Sequence, residues 1–491
     1  MNLGESIRKN TGWIMAGSMS SRLFGFAVGI VLARLLVPAD FGMLVTIQIF
    51  TGVASFLAAG GMGEALVQAR QVEDRDYYVV FTIQMLICLA IYSFFFVIAP
   101  WFALWFDNPL YTDLMRISAL NFLLRPFTAT PKSRLKRAMR FKVITIITFS
   151  SMVLSSIASI LMALQHMGPW SLIVGGLVGS VANLFMLYAV TRKRPGIHFD
   201  KAVARRLGSF GIKMSINEIV FYLRSQTSNF IISRMSGPTL LGLYNKADSM
   251  SMLPAQTISG STYQTVFRAL AKIQDDVNQS AYIYLRTITL VTVYTLPFYV
   301  GLFWLAEPFI TFVYGEKWAA AGPPLAILAT TGLFRCISNP SGAVSAARNR
   351  LGYEVRIQTE TWVVLTIGCL IGIQWGITGV AWGIVPSFAY LALRLAWLAT
   401  DSLQLRLGSL LPALKPALLL NTVLGATLAA TDLVLPGDLK TISPGAYLGS
   451  MALAGGMVYG GLFLYAPIED LKGESLRWRR VLRLSRERPE E

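Results

Sequence analysis

Charged side chains are scarce in this chain of 491 residues. Only 14% of its residues are Asp, Glu, Lys or Arg, whereas 54% are hydrophobic. Soluble globular domains carry about 25% charged residues, and a soluble protein this apolar has too little polar surface to cover its exterior. The composition therefore excludes an ordinary soluble protein and predicts a chain whose surface faces lipid.

Cysteine and histidine are nearly absent, with three Cys and two His in the whole chain. Cys88, Cys336 and Cys369 lie in or beside apolar runs, and His166 and His198 lie in short loops without neighbouring ligands. This pattern excludes a disulfide framework and gives no argument for a metal site. We predict no cofactor and leave open whether an H⁺ or Na⁺ gradient drives the protein.

Acidic residues are few beside basic ones, and the formal net charge is +17. The basic residues cluster in alternate loops: six cations lie in 131–142, seven in 191–213 and seven in 472–491. The loops between them, such as 106–111, 165–170 and 435–440, are short and nearly free of cations. This alternation is typical of the positive-inside rule, in which Lys and Arg stay cytoplasmic, and it argues against a nucleic-acid-binding groove.

Long apolar segments predict an all-α polytopic membrane protein with about fourteen transmembrane helices. A bilayer core of about 30 Å needs about twenty helical residues, and only closed hydrogen bonding is tolerated in lipid. An even number of spans, with the basic loops inside, predicts that both termini are cytoplasmic. The predicted location is the bacterial inner membrane. The segments begin near residues 11, 41, 77, 109, 143, 168, 211, 247, 282, 322, 356, 376, 412 and 442.

An internal duplication is predicted from two short segments 200 residues apart. ARLLVPADFGML (33–44) aligns with SRMSGPTLLGLY (233–244), matching Arg, Pro and Gly. Each segment ends the first helix of a half, so both halves run the same way, a known plan for transporters. The predicted organisation is an N-lobe over 1–195, a C-lobe over 196–400, two further helices over 401–470 and a basic tail over 471–491.

Polar residues within the predicted spans indicate function, because charges in the bilayer core are costly and normally face a partner or a wet cavity. On helix seven, Glu218, Tyr222, Ser225 and Asn229 recur at helical spacing, with Arg224 on a neighbouring stripe. One face of this helix is predicted not to face hydrocarbon.

Arginines at equivalent depths of the two halves predict a cationic cavity. Arg22 and Arg224 each precede the duplicated segment by about a dozen residues, and guanidinium groups suit phosphate and carboxylate oxygens. The alternative is a structural salt bridge, for example to Glu64 or Glu218. Arg335 is a further candidate, since Asn339-Pro340 is predicted to break its helix and expose backbone groups. By contrast, Arg116, Arg125 and Arg394 are interpreted as snorkelling from helix ends.

The chain resembles the polysaccharide transporters of the multidrug/oligosaccharidyl-lipid/polysaccharide superfamily, the O-antigen flippase type, and within it the colanic-acid exporter group. The segments that carry this resemblance lie in both halves: LARLLVPADFGML (32–44), FRALAKIQDD (267–276), VYGEKW (313–318) and GLFRCISNPSG (332–342).

The resemblance implies two six-helix lobes around a central cavity, with two added C-terminal helices. It also implies alternating-access flipping of an undecaprenyl-diphosphate-linked oligosaccharide for exopolysaccharide or lipopolysaccharide biosynthesis. Arginines line the cavity in proteins of this type, which suits Arg22, Arg34, Arg224 and Arg335. Glu64, Glu218 and Glu360 are the acidic candidates for ion coupling, and none fits a recognisable ion site.

Three alternatives stay open at this point. A peptidoglycan-precursor (lipid II) flippase shares the predicted architecture, and a cation-coupled drug antiporter would prefer an acidic cavity. A membrane polysaccharide polymerase is disfavoured because the external loops are short and Asp74-Arg75-Asp76 lies on a cytoplasmic loop. We therefore predict a transporter and not an enzyme, with the lipid-linked substrate, membrane lipids and export-pathway proteins such as a polymerase as partners.

Overall fold

The structure is a computed structural model that describes residues 3–59, 61–69, 71–193, 195–273, 276–437 and 439–484. The regular secondary structure in these ranges is helical, and they contain no β-strand. The prediction of an all-α protein is confirmed. The helices are α1 (Leu3–Leu35), α2 (Pro38–Ala59), α3 (Met62–Gln68), α4 (Asp74–Trp105), α5 (Leu110–Arg137), α6 (Phe141–Leu164), α7 (Trp170–Thr191), α8 (Lys201–Pro254), α9 (Gly260–Lys272), α10 (Val277–Tyr314), α11 (Gly322–Ala329), α12 (Gly332–Ala347), α13 (Leu351–Gly372), α14 (Gly376–Ser402), α15 (Leu410–Val434), α16 (Leu439–Ile442), α17 (Pro444–Tyr465) and α18 (Lys472–Val481).

Nine stretches of the described chain are long and apolar enough to cross a membrane, or ten if one bent helix pair is a single span. The stretch from residue 351 to 402 holds both α13 and α14. Large apolar side chains point outward from these helices, including Leu104 at 78% and Phe185 at 68% exposure. The chain is thus a multi-pass membrane protein, while the count of fourteen spans stays a prediction.

Proline sets two of the helix boundaries. Pro38 is the first residue of α2, a position where its missing N–H is not needed. Within α8, Gly237 is non-helical with φ 79°, so that Pro238 begins a second straight segment. Prolines disfavour the helical conformation of the residue before them, and glycine adopts positive φ without steric cost. The eighth predicted span was expected to begin near residue 247. That start is wrong, because the break in α8 lies at Gly237, ten residues earlier.

The chain separates into two compact units, Met1–Gly242 and Leu243–Glu491. In the first unit, α2, α4 and α5 share an aromatic core in which the rings of Phe95 and Phe122 stack at 5.9 Å. Helices α6 and α7 approach closely because Gly175 and Gly179 face serines of α6, and small residues permit such contacts between membrane helices.

The second unit builds its core from α10, α12, α14 and α15. Tyr284 and Ser341 are fully buried there and share a 2.8 Å hydrogen bond between their hydroxyl groups. Helices α13 and α14 cross with backbone contact, since a Cβ at Gly368 would lie 2.0 Å from the carbonyl oxygen of Gly383. The four predicted domain ranges and the central cavity between two lobes stay predictions.

The two duplicated segments contact each other within the first unit. A Cβ built at Gly42 would lie 1.7 Å from the carbonyl oxygen of Pro238, and one at Gly242 would lie 1.9 Å from that of Pro38. Only glycine fits at both positions. The repeat in the sequence therefore corresponds to a symmetrical close contact between residues 38–42 of α2 and residues 238–242 of α8.

Candidate functional site

A polar cavity of about 580 Å³ lies inside the first unit, between α2, α5, α6 and α7. Its lining combines eight hydroxyl side chains, three carboxamides and two cations, and none of the lining residues is acidic. The hydroxyl and carboxamide residues are Gln48, Thr51, Ser55, Ser118, Asn121, Thr128, Thr148, Ser151, Ser155, Ser180 and Asn183.

Each of the four helices contributes a polar stripe at helical spacing. On α5 the lining residues are Ser118, Asn121, Arg125, Thr128 and Lys132, which alternate by three and four positions over four turns. Residues at this spacing lie on one helix face. The stripe therefore turns one whole side of α5 towards the cavity.

Many hydroxyls in the lining donate their hydrogen to a backbone carbonyl. Thr51 donates to the carbonyl of Ile47 at 3.0 Å, and Ser155 donates to the carbonyl of Gly175 at 2.8 Å. A hydroxyl has one hydrogen and two lone pairs, so these oxygens retain acceptor capacity. The cavity wall thus offers acceptors, and Arg125 and Lys132 supply charged donors.

Arg125 and Lys132 are the charged residues of the cavity, and neither makes a salt bridge with a carboxylate in the described chain. Glu64, the acidic residue that acts electrostatically on Lys132, pairs instead with Lys136. Unpaired cations among membrane helices are costly unless water or an anionic ligand meets them. Two such cations in one cavity form a ready site for an anion.

Two prolines lie next to these cations within α5. Pro126 follows Arg125, and Pro131 precedes Lys132. A proline inside a helix leaves the carbonyl four residues earlier without its intrahelical donor, which affects Phe122, a cavity residue. Backbone groups freed in this way are tolerated in membrane proteins where they line a cavity. The prolines therefore add a polar backbone group to the wall.

The polar face predicted for helix seven contacts α2. The Tyr222 hydroxyl donates to the carbonyl of Gln48 at 2.6 Å, and the hydroxyls of Ser233 and Thr46 lie 2.7 Å apart. Asn229 is buried and its amide donates to Gln226 at 2.8 Å. Glu218 is half-buried. Of this face, Tyr222 makes an interhelical hydrogen bond, whereas the Asn229 bond stays within α8, so packing against α2 accounts for part of the predicted avoidance of hydrocarbon.

The predicted arginines lie outside the polar cavity of the first unit. Arg22 and Arg34 are exposed on α1, and Arg224 is half-buried with its guanidinium 5.3 Å from the ring of Phe221. None of the eight predicted site residues is among the residues that line this cavity. Their assignment to a central cavity stays a prediction.

Arg335 lies on α12 in the second unit. Its Nε donates to the Thr331 hydroxyl at 3.1 Å, its guanidinium stacks 4.2 Å from the ring of Phe388, and Nη2 is buried without a partner. The predicted break at Asn339-Pro340 is wrong, because α12 continues through Pro340. The chain bends by 49° between α11 and α12 instead, just before Arg335.

Threonine hydroxyls account for the position of this bend. Thr330 and Thr331 each donate to the carbonyl three residues earlier, at 2.6 and 2.7 Å. Such local bonds compete with the helical ladder. Pro340 is buried within the unit, where neighbouring groups can compensate its missing donor.

Two acidic residues bear on the question of ion coupling: Glu360, which was predicted, and Asp248, which was not. Glu360 accepts hydrogen bonds from Arg356 at 2.9 Å and Tyr390 at 2.7 Å, and also pairs with Arg394. Arg394 therefore forms an ion pair, which differs from simple snorkelling. Asp248 lies ten residues after Pro238 and was missed because that helix was predicted to start too late. An ion-coupling site stays unassigned.

An apolar groove of about 630 Å³ lies within the second unit, between α8, α10, α15 and α17. Glycines in its walls widen it, and Tyr294 and Tyr459 are its only hydroxyl-bearing lining residues. The Tyr459 hydroxyl is already used, donating to the carbonyl of Val293 at 2.6 Å. Lining residues include Leu253, Pro297, Phe298, Gly301, Leu424, Leu428, Met451, Gly455, Gly456 and Gly460.

Sequence reasoning assigned Arg125 to snorkelling and did not single out Lys132. That interpretation of Arg125 is wrong, because the residue lies in the middle of α5 and lines the cavity. The signal that would have found both residues is the three-and-four spacing of polar side chains along α5. Its two prolines strengthen that signal.

Comparison with known proteins places the chain in a family. A family model described as Polysaccharide biosynthesis protein matches residues 31–323. The chain belongs to this family. It is 24% identical over 78% of its length to the Lipopolysaccharide biosynthesis protein WzxC of Escherichia coli, covering 78% of that protein. It is 27% identical over 66% of its length to the Succinoglycan biosynthesis transport protein ExoT of Rhizobium meliloti, covering 66% of that protein.

Further relatives support the same family. The Teichuronic acid biosynthesis protein TuaB of Bacillus subtilis is 24% identical, with 74% of this chain and 76% of that protein covered. Among solved structures, the inward closed lipid II flippase MurJ superposes with a TM-score of 0.73 at 15% identity, covering 95% of this chain and 99% of that one. An inward-facing multidrug transporter of the MATE family gives a TM-score of 0.55 at 16% identity, covering 79% and 94%.

The similarity to these solved structures establishes the fold. The family and its relatives establish the class of protein, a polysaccharide transporter. The predicted resemblance to polysaccharide transporters of the superfamily is confirmed. The prediction of a transporter, as opposed to an enzyme, is confirmed by the same relatives.

Proposed function

We propose that this protein translocates a lipid-linked oligosaccharide across a bacterial inner membrane, and that the cavity of the first unit binds the anionic and sugar part of that substrate. The supporting observation is the pair of unpaired cations, Arg125 and Lys132, in a polar cavity without an acidic lining residue. Relatives named for lipopolysaccharide, succinoglycan and teichuronic acid biosynthesis support the substrate class.

A diphosphate group matches the two cations chemically. Guanidinium groups bind phosphate oxygens through two parallel hydrogen bonds, and a lysine ammonium adds a compact charge. The two residues are seven positions apart on α5, which is about 10 Å along a helix. In a substrate that carries a diphosphate next to a saccharide, the diphosphate would lie near Arg125 and Lys132. The sugar hydroxyls would then contact the rest of the wall.

The hydroxyl and carboxamide lining suits a saccharide. Sugars carry many O–H donors, and the wall hydroxyls that donate to backbone carbonyls still accept. Asn183 donates to the Ser151 hydroxyl at 3.3 Å, which fixes that oxygen as a hydrogen-bonded part of the wall. Small lining residues such as Gly176 and Gly179 leave room. The cavity is therefore suited to binding a polyol next to an anion.

The apolar groove of the second unit supports the lipid part of the proposal. A hydrocarbon chain is the occupant that we assign to this groove, because apolar surface favours an apolar environment over water and the groove offers almost no polar groups. Gly301, Gly455 and Gly456 keep the walls low. A water-soluble sugar without a lipid chain would have no use for this groove.

Two rival functions differ in chemistry. A drug antiporter for cations would be expected to place carboxylates in its cavity, and the described lining has none. A lipid II flippase would carry a substrate with the same diphosphate and lipid, and the relatives' names favour an exported polysaccharide unit. The proposal includes transport by alternating access, coupling to H⁺ or Na⁺, and cytoplasmic termini. No residue is assigned to any of these three features.

Reconstituted transport tests the proposal. Purified protein in lipid vesicles is given a fluorescent undecaprenyl-diphosphate oligosaccharide, and its appearance in the opposite leaflet is measured. Arg125→Gln and Lys132→Gln are each expected to lower the rate at least tenfold, because a hydrogen bond to a charged group contributes about 1.5–3 kcal/mol. Transport of both variants at the wild-type rate would refute the assignment of the anion site.

Arg140→Gln is the matched control. Arg140 is an exposed cation between α5 and α6 and is absent from the cavity lining. This variant should transport at the wild-type rate. A second arm uses the same polyprenyl oligosaccharide without phosphate. If Arg125 binds the diphosphate, wild-type protein and Arg125→Gln should move this neutral lipid equally slowly.

A further inference from the structure

The last described helix, α18 (Lys472–Val481), lies beyond the final membrane span and is held against the ends of two other helices. The Trp478 indole donates to the Tyr294 hydroxyl of α10 at 2.8 Å. Arg479 donates to the carbonyl of Leu464, in the last turn of α17, at 2.7 Å, and its guanidinium lies 4.8 Å from the ring of Tyr465. The position of α18 is thus fixed by specific bonds.

Helix lengths place α18 at one membrane boundary. From Tyr294 to Tyr314, the end of α10, there are twenty residues, or about 30 Å of helix, which is the thickness of a bilayer core. Helix α17 spans 22 residues and ends at Tyr465. Tyr459, near the end of α17, donates to the Val293 carbonyl, and Gly445, near its start, lies beside Phe312. The two helices are therefore antiparallel, and both anchors of α18 lie towards one membrane boundary, where tyrosine and tryptophan are favoured.

One side of α18 faces the protein. Leu471 just before the helix and Ser475 within it are buried at 2% and 5% exposure, and Arg479 follows four residues later. This spacing defines a single helix face. On its flank, Glu474 and Trp478 both contact the Tyr294 hydroxyl. On the opposite side, Arg477 and Arg480 make no ion pair or hydrogen bond to another helix among the described residues.

Exposed apolar side chains at the end of α18 lie beside a row of cations. Trp478 and Val481 lie at i and i+3 on α18, and Leu482 follows directly after the helix; they are 40%, 65% and 52% exposed. Arg477 and Arg480 are exposed beside them, and Arg483 follows. Arg477 meets Glu474 only at 3.9 Å with 73% of its side chain exposed. Such a pairing of large apolar residues with cations is typical of helices that lie in the membrane interface.

We propose that α18 is an interfacial lipid-binding helix, in which Trp478, Val481 and Leu482 enter the headgroup region and Arg477, Arg480 and Arg483 bind anionic phospholipid headgroups. Charge complementarity identifies the partner, since bacterial anionic lipids offer phosphate oxygens at the depth of these guanidinium groups. The contact couples α10 and α17, which also form walls of the apolar groove, to the lipid composition around the protein.

The test places a reporter at the end of α18 in the full-length protein. Leu482→Cys is labelled with an environment-sensitive fluorophore, which is selective because Cys88, Cys336 and Cys369 are buried. The protein is reconstituted in phosphatidylcholine with increasing phosphatidylglycerol. Emission is expected to shift to the blue as phosphatidylglycerol rises, and high salt should reverse the shift because it screens the cations.

The charge-deleted variant decides the outcome. Arg477→Gln, Arg480→Gln and Arg483→Gln together should abolish the blue shift across the phosphatidylglycerol series, because each cation contributes about 1 kcal/mol, or about fivefold, and all three are lost. A control carrying Arg140→Gln, Lys142→Gln and Arg192→Gln loses the same charge elsewhere and should match the wild type. Equal emission in both lipids, or an unchanged blue shift in the charge-deleted variant, overturns the proposal.

Discussion

The close contact between the duplicated segments makes a sharp prediction for Gly42→Ala. An added Cβ would lie 1.7 Å from the Pro238 carbonyl oxygen, although real Cβ atoms essentially never approach within 3.0 Å. The obstructing atom is backbone, so no side chain can rotate away. The two helices must therefore separate by about 1.3 Å at this point.

The expected cost combines two opposing effects. Overpacking of a close contact costs about 1–3 kcal/mol, and here the strained atoms belong to two helices. Alanine in a helix interior gains about 1 kcal/mol over glycine in intrinsic propensity. Because the obstructing backbone cannot rotate away, the upper end of the overpacking range applies, about 3 kcal/mol less about 1 kcal/mol, so Gly42→Ala is expected to destabilise the protein by about 2 kcal/mol. Gly242→Ala should behave similarly because its Cβ would meet the Pro38 carbonyl oxygen at 1.9 Å.

Thermal unfolding in detergent measures this effect with a dye that becomes fluorescent on reaction with thiols. Cys88, Cys336 and Cys369 form no disulfide and are buried, so they react only when the helices open. Gly29→Ala and Gly425→Ala are the controls, since a Cβ at either position meets no atom within 4 Å. The controls should keep or raise the unfolding temperature, and Gly42→Ala should lower it.

The double variant Gly42→Ala with Gly242→Ala tests whether the two glycines serve the same helix contact. If both glycines serve one contact, then the separation caused by the first alanine makes room for the second. The double variant should then cost less than the sum of its single changes, as neighbouring sites commonly do. The reasoning fails if Gly42→Ala unfolds at the temperature of Gly29→Ala.

Two further predictions concern single hydrogen bonds. Tyr222→Phe removes the 2.6 Å bond to the Gln48 carbonyl and should cost about 1 kcal/mol in unfolding free energy, with no change expected in substrate-independent insertion into the membrane. Ser341→Ala should cost more, about 1–3 kcal/mol, because it leaves the buried Tyr284 hydroxyl without a partner. Tyr284→Phe should cost less, since Ser341 still donates to Ile337 at 2.7 Å; denaturant unfolding that ranks these two variants in the opposite order would contradict the argument.

Local sequence determined the membrane helices and the repeat. Apolar length sets a span, and the proline at 38 and the Gly-Pro pair at 237–238 set helix boundaries through their own backbone limits. The repeat was visible because Pro and Gly recur at matching positions. The sequence also established the superfamily resemblance, since short segments in both halves carry it.

Tertiary structure alone decided which charges face a cavity. An intramembrane arginine gains stability from a carboxylate, an aromatic ring or a wet cavity alike, and the choice depends on how each helix is rotated against its neighbours. The polar face of helix seven was predicted from spacing, and packing turned it towards the carbonyl of Gln48. Packing likewise formed the cavity beside Arg125 and Lys132. The polar stripe along α5 is visible in the sequence, but the sequence does not show which helices pack around it.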